Sequence, residues 1–202
     1  MKANEVVFKT TKIKSYEHYI THSEYLKKDN AIILQNVSEK QMLEVINLDI
    51  KRQNENFKGK RGRPPQVAKG LVFSIPKDME KYILKMNEKE LRKLIDAFLD
   101  TLYQDIKKMY PKANMSFLKK NTQIVLHKDS GHLHFHCLLP QFTKHTSLFN
   151  DKLISINYGK RTVSMNARRR MFNALNALKN IDEEMTLEEF KEKQKSIKPS
   201  DG

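Results

Sequence analysis

Four of the seven histidines in the chain, His127, His132, His134 and His136, fall within ten residues, in the segment Gln123 to Pro140 that reads QIVLHKDSGHLHFHCLLP. Neutral imidazole is the side chain most often recruited to hold divalent transition metals. On a β-hairpin, period-two alternation puts Ile124, Leu126, Leu133, Phe135, Cys137 and Leu139 on one face and the histidines on the other. Lys128-Asp129-Ser130-Gly131 has turn composition, and a four-residue loop there sets His127 opposite His132, Val125 opposite His134 and Gln123 opposite His136. Directly opposed Cβ atoms lie about 5 Å apart and diagonal ones about 7–8 Å, so His127, His132 and His134 are expected to converge on one ion. His136, one pair further along, and Asp129 in the turn are auxiliary candidates. A single surface histidine is ordinarily just solvated; four on one face argue for a metal. Three imidazoles leave positions open for water or substrate, whereas a closed structural zinc site favours Cys, and Cys137 falls on the core face.

The elements that must position this hairpin follow from spacing. Glu5 to Lys12 predicts a first strand. Tyr16 to Lys28 holds Tyr16, His18, Tyr19, His22 and Tyr25 within ten residues. On a helix, Tyr16 shares a face with Tyr19, and His18 shares one with His22 and Tyr25. Any one of these is ordinarily a ring packed on a surface helix; together they are candidate nucleophiles. Ala31 to Leu34 is a short apolar run, and Glu39 to Ile50 has helical spacing. Gly70 to Ile75 predicts a strand ended by Pro76. A long helix follows to Tyr110, its stripe running from Leu91 to Met109 at intervals of three and four. Leu153 to Tyr158 predicts a short strand, and Ser164 an N-cap for a helix to about Leu178. Residues 182–202 predict a charged helical or disordered tail after a domain spanning 1–181.

Charge supplies the partner class. Net charge is +14; residues 182–202 hold seven acids and four Lys, so the first 181 carry 34 basic against 17 acidic side chains, a net +17. Such a field attracts phosphate backbones, so the expected partner is DNA or RNA. Lys58, Lys60, Arg61 and Arg63 lie in the Gly- and Pro-rich segment FKGKRGRPPQ, read as a basic loop that gathers phosphates. Its RGRP resembles an AT-hook core, a weaker reading. Arg168-Arg169-Arg170 on the late helix is ordinarily a solvated face, but beside a nucleic-acid site it would grip phosphates. No apolar run approaches the roughly 20 residues of a membrane span, and no leader is visible at the start. One cysteine excludes an internal disulfide framework, and the chain is expected to be intracellular.

With these pieces placed, the chain resembles the HUH endonucleases, and within them the Mob/Pre-type (MobV-like) relaxases of mobilisable plasmids. The resemblance rests on His132-Leu133-His134, a His-hydrophobic-His pair, preceded by His127-Lys128-Asp129 and followed by Pro140. The turn is about two residues shorter than the family's, and Ser130 stands where the family has Glu. A looser similarity runs over Arg63 to Asp78 and the helix into Tyr110. The resemblance implies an α+β fold with an antiparallel sheet of about five strands and flanking helices, and a bound Mn²⁺ or Mg²⁺. It also implies cleavage and rejoining of single-stranded DNA, with a nucleophile near the N-terminus joined to the 5′ end. His22 is the first candidate for that role, because His22-Ser23-Glu24-Tyr25 matches the His of the family's His-Asn-x-Arg; Tyr25 and Tyr19 follow. The implied setting is bacterial cytoplasm, and the implied partners are single-stranded or supercoiled DNA at an origin together with relaxosome or replication proteins.

Two other readings compete. A rolling-circle replication initiator of the same superfamily carries its nucleophilic Tyr after the His pair, which here means Tyr158 with Lys160 beside it. A non-catalytic basic nucleic-acid binder would need neither metal nor nucleophile, and its binding would depend steeply on salt.

Overall fold

The computed structural model describes residues 7–13, 15–28, 30–56, 67–128, 132–147, 152–158, 161–179 and 185–195. Five strands form one antiparallel sheet: β1 (Val7–Ile13), β2 (Ala31–Gln35), β3 (Ala68–Ser74), β4 (Gln123–His127) and β5 (His134–Pro140), in the order β1-β3-β5-β4-β2. β4 and β5, which carry the histidines, therefore lie inside the sheet. His127, His134 and His136 each have a paired strand on both sides, a good footing for a metal site.

Each face of the sheet builds its own core. Alternation sends Ile124, Leu126, Phe135, Cys137 and Leu139 to one face, where they bury against α4 (Glu88–Met109) and α6 (Arg161–Ala177). The expected stripe of α4 is realised, since Leu91, Leu94, Ile95, Phe98, Leu99, Leu102, Tyr103 and Ile106 are buried. The helix starts at a capping box: Asn87 accepts from the Glu90 backbone and the Glu90 carboxylate accepts from the Asn87 backbone. Such a cap contributes about 1 kcal/mol. A fully buried Phe contributes roughly 1.5–3 kcal/mol, and Phe73, Phe98 and Phe135 are all in this layer. Val125 and Leu138 face the other way and bury with Ile13, Tyr19, Leu26, Val37, Met42, Val45 and Ile46, brought by β1, α1 (Tyr16–Tyr25), α2 (Glu39–Asn56) and the residues that flank the two helices.

Several boundaries differ from expectation. A 3-10 turn (Lys77–Met79) and α3 (Glu80–Ile83) precede α4, and α5 (Met115–Lys120) precedes β4. Phe142–Lys144 forms β6, paired with β7 (Leu153–Ser155); its three residues are too few for alternation to register in the sequence. α6 begins at Arg161, so Ser164 lies inside the helix and is not its cap. α7 (Leu187–Lys195) packs on the domain: Phe190 is fully buried with its ring 5.7 Å from that of Phe172, and the Asn173 side chain bonds the Met185 backbone twice. No helix among the described residues is long and apolar enough to cross a membrane.

Candidate metal centre

Pairing of β4 with β5 brings the imidazoles together in a register two residues from the expected one. His127 faces His134, Val125 faces His136, and Gln123 faces Leu138. The turn therefore runs from Lys128 to Leu133. Leu133 sits at its end with its side chain in the core and its carbonyl accepting from Ile75 N–H at 2.9 Å. One nitrogen from each of His127, His134 and His136 lies within 4.8 Å of the others. Ring centroids are 5.3 Å apart for His127 and His134, and 4.7 Å apart for His127 and His136 and for His134 and His136.

His132, expected as a ligand, stands outside this group. Its side chain is 73% exposed, with Nδ1 3.9 Å from a Glu80 carboxylate oxygen. The His-hydrophobic-His pair that lines the site is thus His134-Phe135-His136, and the turn before it is two residues longer than expected. Asp129 lies outside the described residues.

Carbonyl groups orient two of the rings. A carbonyl only accepts, so His127 donates through Nε2 to Leu26 O at 2.8 Å and presents the Nδ1 lone pair, whereas His134 donates through Nδ1 to His132 O at 3.1 Å and presents Nε2. A metal-binding imidazole ordinarily donates its second N–H in this way, which fixes the tautomer and raises ligand basicity. Three partly oriented imidazole nitrogens on adjacent strands fit one divalent cation while leaving coordination positions for water or a phosphate oxygen.

Helix α1 is fastened over this face. Ser15 caps it, accepting from His18 N at 3.1 Å. Buried Ser23 donates to Gln123 Oε1 at 2.5 Å, and Gln123 Nε2 donates back to the Ser23 carbonyl. With the Leu26–His127 bond, the C-terminal half of α1 is thus tied to β4 at both ends of the strand. The chain then returns through Asn30 at φ 61°, a left-handed conformation that Asn tolerates better than most residues, and Asn30 O accepts from Lys128 N. Ser23, Gln123 and the Leu26 carbonyl were not singled out from sequence; the one signal was that Gln123 shares strand parity with His127.

This fastening delivers His22 to the imidazole cluster, its ring centroid 6.5 Å from that of His136. His18 and Tyr25 flank it at 5.8 and 6.4 Å, the face that helical spacing predicted. Burial, then the charges that His18 and His127 can carry, hold His22 below the usual imidazole value of 6.5. Its ring is therefore neutral near pH 7 with a lone pair available. Tyr25 is 58% exposed and its ring stacks on that of His22. Tyr19 is not brought to the site: it is buried in the core beneath α1, where desolvation pushes its hydroxyl well above its ordinary range. Tyr158 lies on the other side of the sheet in the α4 layer, fully buried, its hydroxyl donating to Pro140 O at 2.7 Å.

The basic candidates divide. Lys58, Lys60, Arg61 and Arg63 lie outside the described residues. Arg168, Arg169 and Arg170 sit on α6, which packs on α4 through Ala167, Met171 and Leu175, so the structure places this helix on the face opposite the imidazoles. Arg169 is held by Asn166 and by Met185 O, and partial burial lowers the pKa of Arg168.

No protein-family description matches the chain, and no curated protein matches it by sequence. Solved structures do match. The relaxase TrwC complexed with a 27-mer DNA comprising a recognition hairpin and cleavage site superposes with a TM-score of 0.53 and 12% identity over 86% of this chain and 69% of that one. A metal-bound TrwC complex with oriT DNA gives a TM-score of 0.50 at 12% identity, over 86% and 70% of the two chains. The manganese-bound relaxase domain of MobM (MOBV; Mob_Pre) on plasmid pMV158 oriT DNA gives 0.48 at 16% identity, over 93% and 98%. At these identities the likeness concerns architecture alone: the chain shares the fold of these relaxase structures.

Proposed function

We propose that this protein is a divalent-metal-dependent enzyme that cuts and rejoins one strand of DNA at an origin, a relaxase serving plasmid or mobile-element mobilisation. The observation that carries the reading is the convergence of His127, His134 and His136 on one sheet face with neutral His22 beside them. The net charge of +14 supplies the attraction to a phosphate backbone. The TrwC structures, which share the fold, hold DNA and in one case metal.

His127, His134 and His136 hold the ion, Mn²⁺ or Mg²⁺. When bound there, a divalent cation would supply Lewis-acid polarisation of the phosphoryl oxygens and offset negative charge in the transition state. His22 is the nucleophile: the lone pair of one ring nitrogen attacks the scissile phosphorus, the N–P bond forms as the P–O3′ bond breaks, the departing 3′ oxygen takes a proton from water, and the other ring nitrogen of His22 gives up its proton to solvent. Attack by that 3′ hydroxyl on the linked phosphate reverses the step and rejoins the strand. Tyr25, stacked on His22, orients the ring and offers an exposed face to a DNA base. The basic loop around Lys58, Lys60, Arg61 and Arg63 gathers phosphates, and Arg168, Arg169 and Arg170 grip a duplex segment elsewhere on the surface. The enzyme works in the bacterial cytoplasm on single-stranded or supercoiled DNA, with relaxosome or replication proteins as partners.

The reading is tested with a randomised single-stranded oligonucleotide pool and Mn²⁺. Denaturing gels should show a protein-linked strand, absent in His22→Ala and His134→Ala, and sequencing of that strand would give the site. DNA binding that is indifferent to metal and leaves no linked strand would instead support the plain nucleic-acid binder.

A further inference from the structure

One peptide unit at the rim of the cluster is held from both sides. Its carbonyl, His132 O, accepts from Nδ1 of His134 at 3.1 Å. Its amide, Leu133 N–H, donates to Glu80 Oε1 at 3.2 Å. The next carbonyl, Leu133 O, accepts from Ile75 N–H at 2.9 Å, so the unit cannot turn freely. Glu80 is the first residue of α3, its side chain is only 19% exposed, and it stands 3.9 Å from His132 Nδ1 as well.

We propose that Glu80 is a positioning residue for the metal centre, acting on His134 through the peptide between His132 and Leu133. A carboxylate accepting from the amide end of a peptide draws the N–H toward itself and makes the carbonyl end a stronger acceptor, because hydrogen bonds in a chain polarise one another. The stronger acceptor holds His134 as the Nδ1–H tautomer, which aims Nε2 at the ion. Glu80 thus supplies through one peptide what a directly bonded carboxylate supplies to a metal-binding histidine. The contact spans 53 residues of sequence and links the start of α3 to the residue that precedes β5. It also accounts for His132, whose backbone serves the site while its ring stays in solvent.

This inference rests on the metal-holding role proposed above, and the experiment separates the two. The first readout is the ¹⁵N spectrum of His134 in the metal-free protein. Wild type should show the Nδ1–H tautomer, and Glu80→Ala a mixture with Nε2–H. The second is calorimetric Mn²⁺ affinity, which Glu80→Ala should weaken by roughly 10- to 100-fold, the range found for outer-shell partners of metal ligands. Glu80→Gln keeps an oxygen that accepts from Leu133 N–H, so it should restore the tautomer and most of the affinity. If Glu80→Ala does not fold, Glu80→Asp, one methylene shorter, should show the same losses. An unchanged tautomer with unchanged affinity in the folded variant overturns the proposal. Failure of wild type to bind Mn²⁺ overturns the metal reading instead, and the tautomer comparison still decides the role of Glu80.

Discussion

Replacing Tyr158 by Phe removes one oxygen from the core and decides between two nucleophiles. That hydroxyl is fully buried and donates to Pro140 O at 2.7 Å. Burial pushes its pKa well above the ordinary 10.0, and it packs within the apolar α4 layer. A nucleophile needs a lowered pKa or an adjacent base, and Tyr158 has the opposite environment. Its hydroxyl is a structural group, so its loss should be felt as stability. Losing a buried hydrogen bond and leaving the Pro140 carbonyl unsatisfied costs roughly 1–3 kcal/mol. For a chain of this size each kcal/mol moves Tm by about 2–4 °C, so Tyr158→Phe should melt several degrees lower. The assay pairs a thermal melt with a denaturing gel for protein-linked DNA. The expected result is a lowered Tm with DNA linkage retained, while His22→Ala loses linkage at nearly unchanged Tm. An unshifted Tm with linkage lost in Tyr158→Phe would refute the reasoning and restore the initiator reading.

Ser23→Ala breaks the buried clasp between α1 and β4 and should cost about 1–2 kcal/mol in urea unfolding, with slower DNA linkage because His22 is less well held; wild-type values for both would contradict the clasp. His22 should titrate below 6.5 by NMR. Because its folded pKa is lowered, the unfolded chain binds the proton more readily, so stability is lost as pH falls below 6.5; His22→Gln should lessen that loss, and a midpoint above 6.5 would contradict the burial argument. Replacing Lys60, Arg61 and Arg63 by Ala should reduce the slope of log affinity against log salt by about 2 for single-stranded DNA, if each residue contacts one phosphate; an unchanged slope would exclude the loop from the interface.

What was legible in the sequence divides along physical lines. The α4 stripe is a local pattern, and it is in the structure as spacing predicted. Helical spacing likewise grouped His18, His22 and Tyr25 on one face and Tyr19 on another, although it could not say which face the core would take. Alternation assigned each residue of β4 and β5 to its proper side. It could not fix the register, because a slip of two residues leaves every side chain on its own face, and His132 and His136 are therefore interchangeable by parity. The discriminating interactions are nonlocal: Ile75 and Glu80 hold Leu133 in the turn, 58 and 53 residues away in sequence. Ser23 and Gln123 are separated by 100 residues, and no local pattern announces their bond. The arginines of α6 were assigned to a helix that spacing could describe but not dock, and the buried row Ala167, Met171 and Leu175 sends it to the α4 layer.

The central claim is that His127, His134 and His136 hold one divalent ion, and calorimetric Mn²⁺ titration tests it without knowledge of the cognate DNA. Wild type and His132→Ala should each bind one ion, and His136→Ala should not. Binding abolished by His132→Ala but retained by His136→Ala would contradict the register and the metal centre built on it.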